Sequence, residues 1–199
     1  MNAHMTHDNS ITRNSLRTAS KALEQLLADA ATIERCDAII DTIATALSSG
    51  CKVIACGNGG SMCDASHFVE ELTGRFRCDR PAIAALAIND AGHITCTAND
   101  YGFDFVFSRA IEALGKPGDV LIALSTSGNS PNILKALSAA RNRGVMSIAL
   151  LGKGGGEAKS MADIPVIVPG ETSDRIQELH MLLLHIFVEG VEMRMGFAK

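Results

Sequence analysis

The sequence predicts an α/β fold, a three-layer sandwich in which a five-stranded parallel sheet is flanked by helices and preceded by a helical extension. Three observations carry this. Short apolar runs recur at Val53–Cys56, Ala84–Ile88, Val120–Leu124, Ser147–Leu151 and Ile164–Val168. They are continuous rather than alternating, as strands buried on both faces require. Helical patterns separate them over Met62–Leu72, Phe103–Leu114, Asn132–Arg143, Gly156–Met161 and Ser173–Arg194, which are the crossovers that parallel strands need. Two of the strands run into glycine turns that open directly into helices, and ligands of parallel sheets sit at those carboxyl ends.

Ahead of the first strand, Ser10 to about Ala31 repeats apolar residues at helical spacing (Leu16, Ala19, Leu23, Leu26, Leu27), and a second helix is expected over Ile33–Leu47. Residues 1–50 are therefore expected to form a helical segment, and residues 51–199 an α/β domain continuous with it. The apolar stripe of the segment suits its own sheet and another copy of the chain equally well.

The first strand ends in Gly57-Asn58-Gly59-Gly60-Ser61. Glycines let the backbone approach a ligand closely, and the free N–H groups of the following helix point at it, so the turn reads as an anion cradle. Further along that helix, His67 and Glu71 stand at i and i+4 on one face. Glu70, next to Glu71, faces elsewhere; a solvated surface carboxylate is the alternative for either.

The strand Val120–Leu124 ends in Ser125-Thr126-Ser127-Gly128-Asn129-Ser130, and Pro131 then starts a helix with Ser130 as its cap. Four hydroxyl residues on this turn offer a phosphate many short donors, without the lysine of a P-loop. Alone, the loop reads equally as a hydroxyl-rich cap. A second strand–glycine–helix turn in the same sheet favours a phosphate. In the last helix, His180 and His185 differ by about 140° in direction, so at most one faces a common site, and spacing does not say which.

The formal net charge of −4 and the lack of any Lys/Arg run argue against nucleic acid. There is no Trp and a single tyrosine, Tyr101, so a ligand would be held by backbone and hydroxyl groups rather than by aromatic stacking. The polar N-terminal stretch reads as no signal peptide, and no apolar run has the length of a membrane span. The six cysteines lack CxxC spacing and read as reduced thiols of a cytoplasmic protein.

The segments CGNGGS, HFVEELTGR, TANDYGF, LSTSGNS and DRIQELH resemble the motifs of the phosphoheptose isomerases, members of the sugar isomerase (SIS) fold family. The likeness runs from about Lys52 to the C-terminus, with a helical segment of matching type before it. LSTSGNS alone would imply only the fold; His67 with Glu71, together with DRIQELH, narrows it. The resemblance implies isomerisation of sedoheptulose 7-phosphate to glycero-manno-heptose 7-phosphate, a step towards bacterial surface polysaccharide, by a homotetramer with bound zinc and active sites near subunit interfaces. Asn58, Gly59 and Gly60 match the substrate-contacting turn, and Ser61, Ser125, Thr126, Ser127 and Ser130 the phosphate-binding hydroxyls. Asn99 and Asp100 match a pair on the sugar. Gln177 matches a ligand of both substrate and metal; His67, Glu71 and His185 match the other metal ligands, and Glu71 and His185 also the base and acid. Met62 and the segment Pro169-Gly170-Glu171-Thr172 depart from the family pattern.

An aldose–ketose isomerase needs a base, an acid and a group that stabilises an enediolate, and these residues supply all three. A non-catalytic sugar-phosphate sensor or adaptor of the same fold is the alternative, as is an isomerase for another sugar phosphate. A sensor has no need of Glu71 and His185 together.

Overall fold

The computed structural model describes residues 10–197; the first nine residues of the expected helical segment, with part of the polar N-terminal stretch, lie outside them. Strands β1 (Val53–Gly57), β2 (Ala85–Ala87), β3 (Val120–Ser125), β4 (Met146–Leu151) and β5 (Ile164–Ile167) form one sheet, parallel throughout, in the order β2-β1-β3-β4-β5. Each coincides with an expected strand, shifted by a residue or two at its ends. Helices α1 (Ile11–Ala28) and α2 (Ala30–Ser48) precede the sheet. The remainder are α3 (Gly60–Thr73), α4 (Ala91–Tyr101), α5 (Ser108–Leu114), α6 (Pro131–Arg143), α7 (Ala158–Met161) and α8 (Ser173–Arg194).

Two expectations need correction. Helix α4 has no counterpart in the sequence reading, because AGHITCTANDY has only the short apolar face of Ile94 and Ala98 and buries only Thr97. Its N-cap specifies it instead: the Asp90 side chain accepts from His93 N at 2.7 Å. The helix expected over Phe103–Leu114 is divided. Gly102 takes φ 96°, a 3-10 turn covers Phe103–Phe105, and the α-helix starts only at Ser108.

Alternate residues of each strand feed two cores. Val53, Ala55, Ile122 and Leu124 pack with α2, α3 and α8 through residues such as Ile39, Phe68 and Phe187. Ile54, Cys56, Leu121 and Ala123 pack with α5 and α6 through Ile111, Ile133 and Leu137. Helix α2 thus covers the chain's own sheet, whereas Ile11, Leu16, Leu23 and Leu27 of α1 stay exposed.

The chain passes from β1 to β2 on one side and to β3 on the other, which makes the carboxyl ends of β1 and β3 the topological switch point. Both glycine turns leave the sheet there. The starts of the same two strands are stapled by Asp119, which is 2% exposed. Its carboxylate pairs with Lys52 Nζ and accepts from Lys52 N and Lys116 N, each at 2.9 Å. Burial alone would push the Asp119 pKa up; these bonds outweigh it and hold the carboxyl below the usual range. The staple sets the register Val53↔Val120 through Gly57↔Leu124, so both turns open at one level.

Candidate active site

The two turns and the start of α8 enclose a cleft of about 330 Å³ lined by Asn58, Gly59, Gly60, Ser61, Ser125, Thr126, Ser130, Ser173 and Gln177. Helices α3, α6 and α8 all begin at it, so three sets of unpaired N–H groups and three positive dipole ends converge on one space. That combination suits a phosphate. Gly60 leaves room for Gln177 here: a Cβ would lie 2.7 Å from the Gln177 side-chain oxygen and push that side chain away. Gln177 in turn donates to Ser61 Oγ at 3.4 Å.

Each turn is locked by its own side chains. Asn58 and the buried Asn132 exchange amide hydrogen bonds of 2.9 and 2.8 Å, tying the first turn to the second. The Asn58 side chain is therefore committed, and the residue faces the cleft as backbone. Ser125 Oγ accepts from Gly128 N at 3.0 Å and Ser127 Oγ from Asn129 N at 3.2 Å. Thr126 Oγ1 lies 3.2 Å from Ser173 Oγ. Ser130 caps α6 by position without a side-chain capping bond, which leaves its hydroxyl for a ligand.

Towards the other end of α3, Glu71 is 7% exposed and its Oε1 lies 3.3 Å from His67 Nε2 and 3.4 Å from His185 Nε2. The i,i+4 spacing predicts the first contact, and the packing of α8 along α3 supplies the second. Glu70 is exposed, as its different face requires. One ligand atom from each of the three residues lies within 4.8 Å of the others, and Glu71 Oε2 is buried without a hydrogen-bond partner. Two imidazoles and a carboxylate with an unsatisfied oxygen fit a borderline divalent ion. Phe76 stacks on the His185 ring, with centroids 6.0 Å apart.

His180 is the histidine of α8 that does not join this group. It is 0% exposed and neither ring nitrogen has a hydrogen-bond partner. Burial pushes its pKa down from 6.5 to about 4. It stays neutral when folded but takes a proton when unfolded, so its contribution is complete above pH 6.5 and is lost as pH falls towards 4. The shift corresponds to about 3 kcal/mol at full protonation of the unfolded chain. We expect His180→Leu to flatten the fall of the urea midpoint with acidification over that window; an unchanged slope would assign acid lability to other groups.

Of the other residues named from sequence, Asn99 and Asp100 are exposed on α4 and hydrogen-bond each other at 2.7 Å without lining the cleft. Ser127 also does not line it. Three contributors went unrecognised in the sequence: Ser173, Asn132 and Phe76. Ser173 had a visible signal, a hydroxyl at a helix start, whereas Phe76 lies in a loop without periodicity.

The match to a family model described as SIS domain covers residues 16–152. The phosphoheptose isomerase of Fusobacterium nucleatum is 49% identical over 179 residues, covering 90% of this chain and 92% of that one. Two solved structures are also similar. The phosphoheptose isomerase of Neisseria gonorrhoeae has a TM-score of 0.80 at 38% identity, covering 92% and 95% of the two chains. That of Francisella tularensis has a TM-score of 0.86 at 32% identity, covering 92% and 96%. With the phosphate-type cleft and the His–Glu–His group on its helices, the chain belongs to the phosphoheptose isomerase family of SIS-domain proteins.

Proposed function

We propose that the protein converts sedoheptulose 7-phosphate to D-glycero-D-manno-heptose 7-phosphate through an enediolate, in the supply of heptose for bacterial lipopolysaccharide. The observation that carries this is Glu71 held 3.4 Å from His185, on helices that also frame a phosphate-type cleft. Glu71 removes a proton from C1 and returns it at C2, while His185 gives a proton to O2 and takes one from O1. Phosphate sits on the turns of Ser61, Ser125, Thr126, Ser127 and Ser130, and Asn58, Gly59 and Gly60 hold the chain beyond it. Gln177 orients the sugar hydroxyls, and Asn99 and Asp100, which lie outside the cleft of their own chain, would reach the sugar in a neighbouring subunit's site. A sensor would have no use for the paired base and acid. Incubating the purified protein with sedoheptulose 7-phosphate should yield the aldose; a protein that binds the ketose and leaves it unchanged would favour the sensor.

Zinc is the ion we assign to His67, Glu71 and His185, with Gln177 as a further ligand. When bound, it would polarise the sugar carbonyl as a Lewis acid. Prolonged chelation should lower turnover and added zinc restore it. Full activity in protein that elemental analysis finds free of metal would reduce the group to a hydrogen-bonded acid–base site.

We further infer a homotetramer with sites shared between subunits. Ser61 and Glu71 lie about 15 Å apart along a straight helix, so the cleft and the His–Glu–His group of one chain stand at different levels of the α3–α8 pair. Exposed Leu23, Leu27, Ile33 and Ile186 form an apolar face on α1, α2 and α8, which supports self-association. Glu71 and His185 meet within one chain, so complementation is expected between a Glu71→Gln protein and a Gln177→Ala protein after subunit exchange. Exchange verified by mass without recovered activity would place the whole site in one chain. The six free cysteines support a reducing compartment, the cytoplasm, as the setting. Among the described residues, no helix is long and apolar enough to cross a membrane.

A further inference from the structure

We propose that Arg80 is a positioning residue that fixes the separation of Glu71 and His185 by clamping α3 to α8; this rests on the acid–base reading of that pair. The Arg80 side chain is 1% exposed and its Nε pairs with Glu192 at 2.8 Å, Glu192 being 5% exposed. Its Nη2 donates to the carbonyl of Glu71 itself at 2.5 Å, and its Nη1 to Leu72 O at 2.7 Å and Pro81 O at 3.1 Å. One planar fork thus satisfies the last carbonyls of α3, holds the connecting loop against them, and grips α8. Glu192 lies two turns beyond His185, on the same face of α8. The loop that Arg80 closes also carries Phe76 onto the His185 ring.

A buried ion pair is weak as a source of stability, because desolvation of both charges offsets their attraction. What this one supplies is geometry. The guanidinium reaches Glu192 and the two α3 carbonyls of Glu71 and Leu72 at once, with directions set by its planarity. A lysine ammonium at the same place retains the charge pair but cannot span all three acceptors. The two roles therefore separate in Arg80→Lys.

The test compares Arg80→Lys and Glu192→Gln with Glu71→Gln and the parent. Turnover of sedoheptulose 7-phosphate is measured on protein whose circular dichroism shows it folded, and the Glu71–His185 contact is measured in a crystal structure of each variant. The clamp predicts that kcat falls about tenfold or more, as for a displaced catalytic group. KM should change little, because the phosphate turns are untouched. The 3.4 Å contact should lengthen. Wild-type kcat in both variants, with Glu71→Gln inactive, overturns the clamp and leaves the acid–base reading standing. If Glu71→Gln keeps full turnover, the acid–base reading is what fails, and an unshifted Glu71–His185 contact in the variants overturns the clamp as well. Glu192→Gln replaces the charged acceptor of Arg80 with an amide that holds the guanidinium more weakly, and carries the same measurements should Arg80→Lys fail to fold.

Discussion

Glu71→Gln is expected to reduce turnover by about 10² to 10⁴, the usual contribution of a positioned acid or base, while leaving the fold intact. The amide keeps the size of the side chain and an oxygen for the His67 and His185 contacts, now at 3.3 and 3.4 Å, but it cannot accept the carbon-bound proton. Substrate affinity should change little, since the phosphate cleft lies at the other end of α3. The carboxylate is also one of the three candidate ligands, so metal content has to be measured on the same sample. Turnover near the parent value in metal-replete protein would remove Glu71 from the role of base.

That Glu71 rather than Glu70 is the buried carboxylate was legible from helical spacing alone, because only Glu71 shares a face with His67. The parallel sheet was legible for a similar reason. Its strands are continuous apolar runs, and the turns after β1 and β3 carry the glycine and hydroxyl residues expected where helices open at a switch point. Helix α4 was hidden because its apolar face is short and a single cap, Asp90 to His93, specifies it. The choice between His180 and His185 was also beyond spacing: it depends on which face of α8 meets α3 and which meets the sheet. Arg80 was illegible for a further reason. Its partners on α3 and α8 lie eight to more than a hundred positions away, and nothing local marks an arginine that will be buried. The Asn58–Asn132 lock, spanning two turns, belongs to the same class of long-range contact.

Gly128→Ala is expected to be the most damaging change in the phosphate loop. Gly128 has φ +66°, and a Cβ there would stand 1.9 Å from the carbonyl oxygen of Gly155. Neither neighbour can yield easily. Gly128 O accepts from Ala158 N at 2.9 Å, and Asn129 Oδ1 accepts from Glu157 N at 3.0 Å, so the two loops are bonded on both sides of the contact. The left-handed backbone costs a non-glycine residue about 1–2 kcal/mol, and overpacking adds about 1–3 kcal/mol. Together these predict a loss of roughly 2–5 kcal/mol in urea unfolding. The contact can be relieved only by moving the Ser125–Ser130 turn, so affinity for the phosphorylated sugar should fall at least about tenfold, the equivalent of one charge-assisted hydrogen bond. Gly154→Ala separates the two causes. Gly154 also has positive φ, +81°, but nothing lies within 4 Å of its Cβ position. It should therefore cost only the backbone term and leave substrate affinity unchanged. If Gly128→Ala proves no worse than Gly154→Ala in stability and binding, the turn is not held by the Gly155 contact, and its shape must come from the bonds within the loop itself.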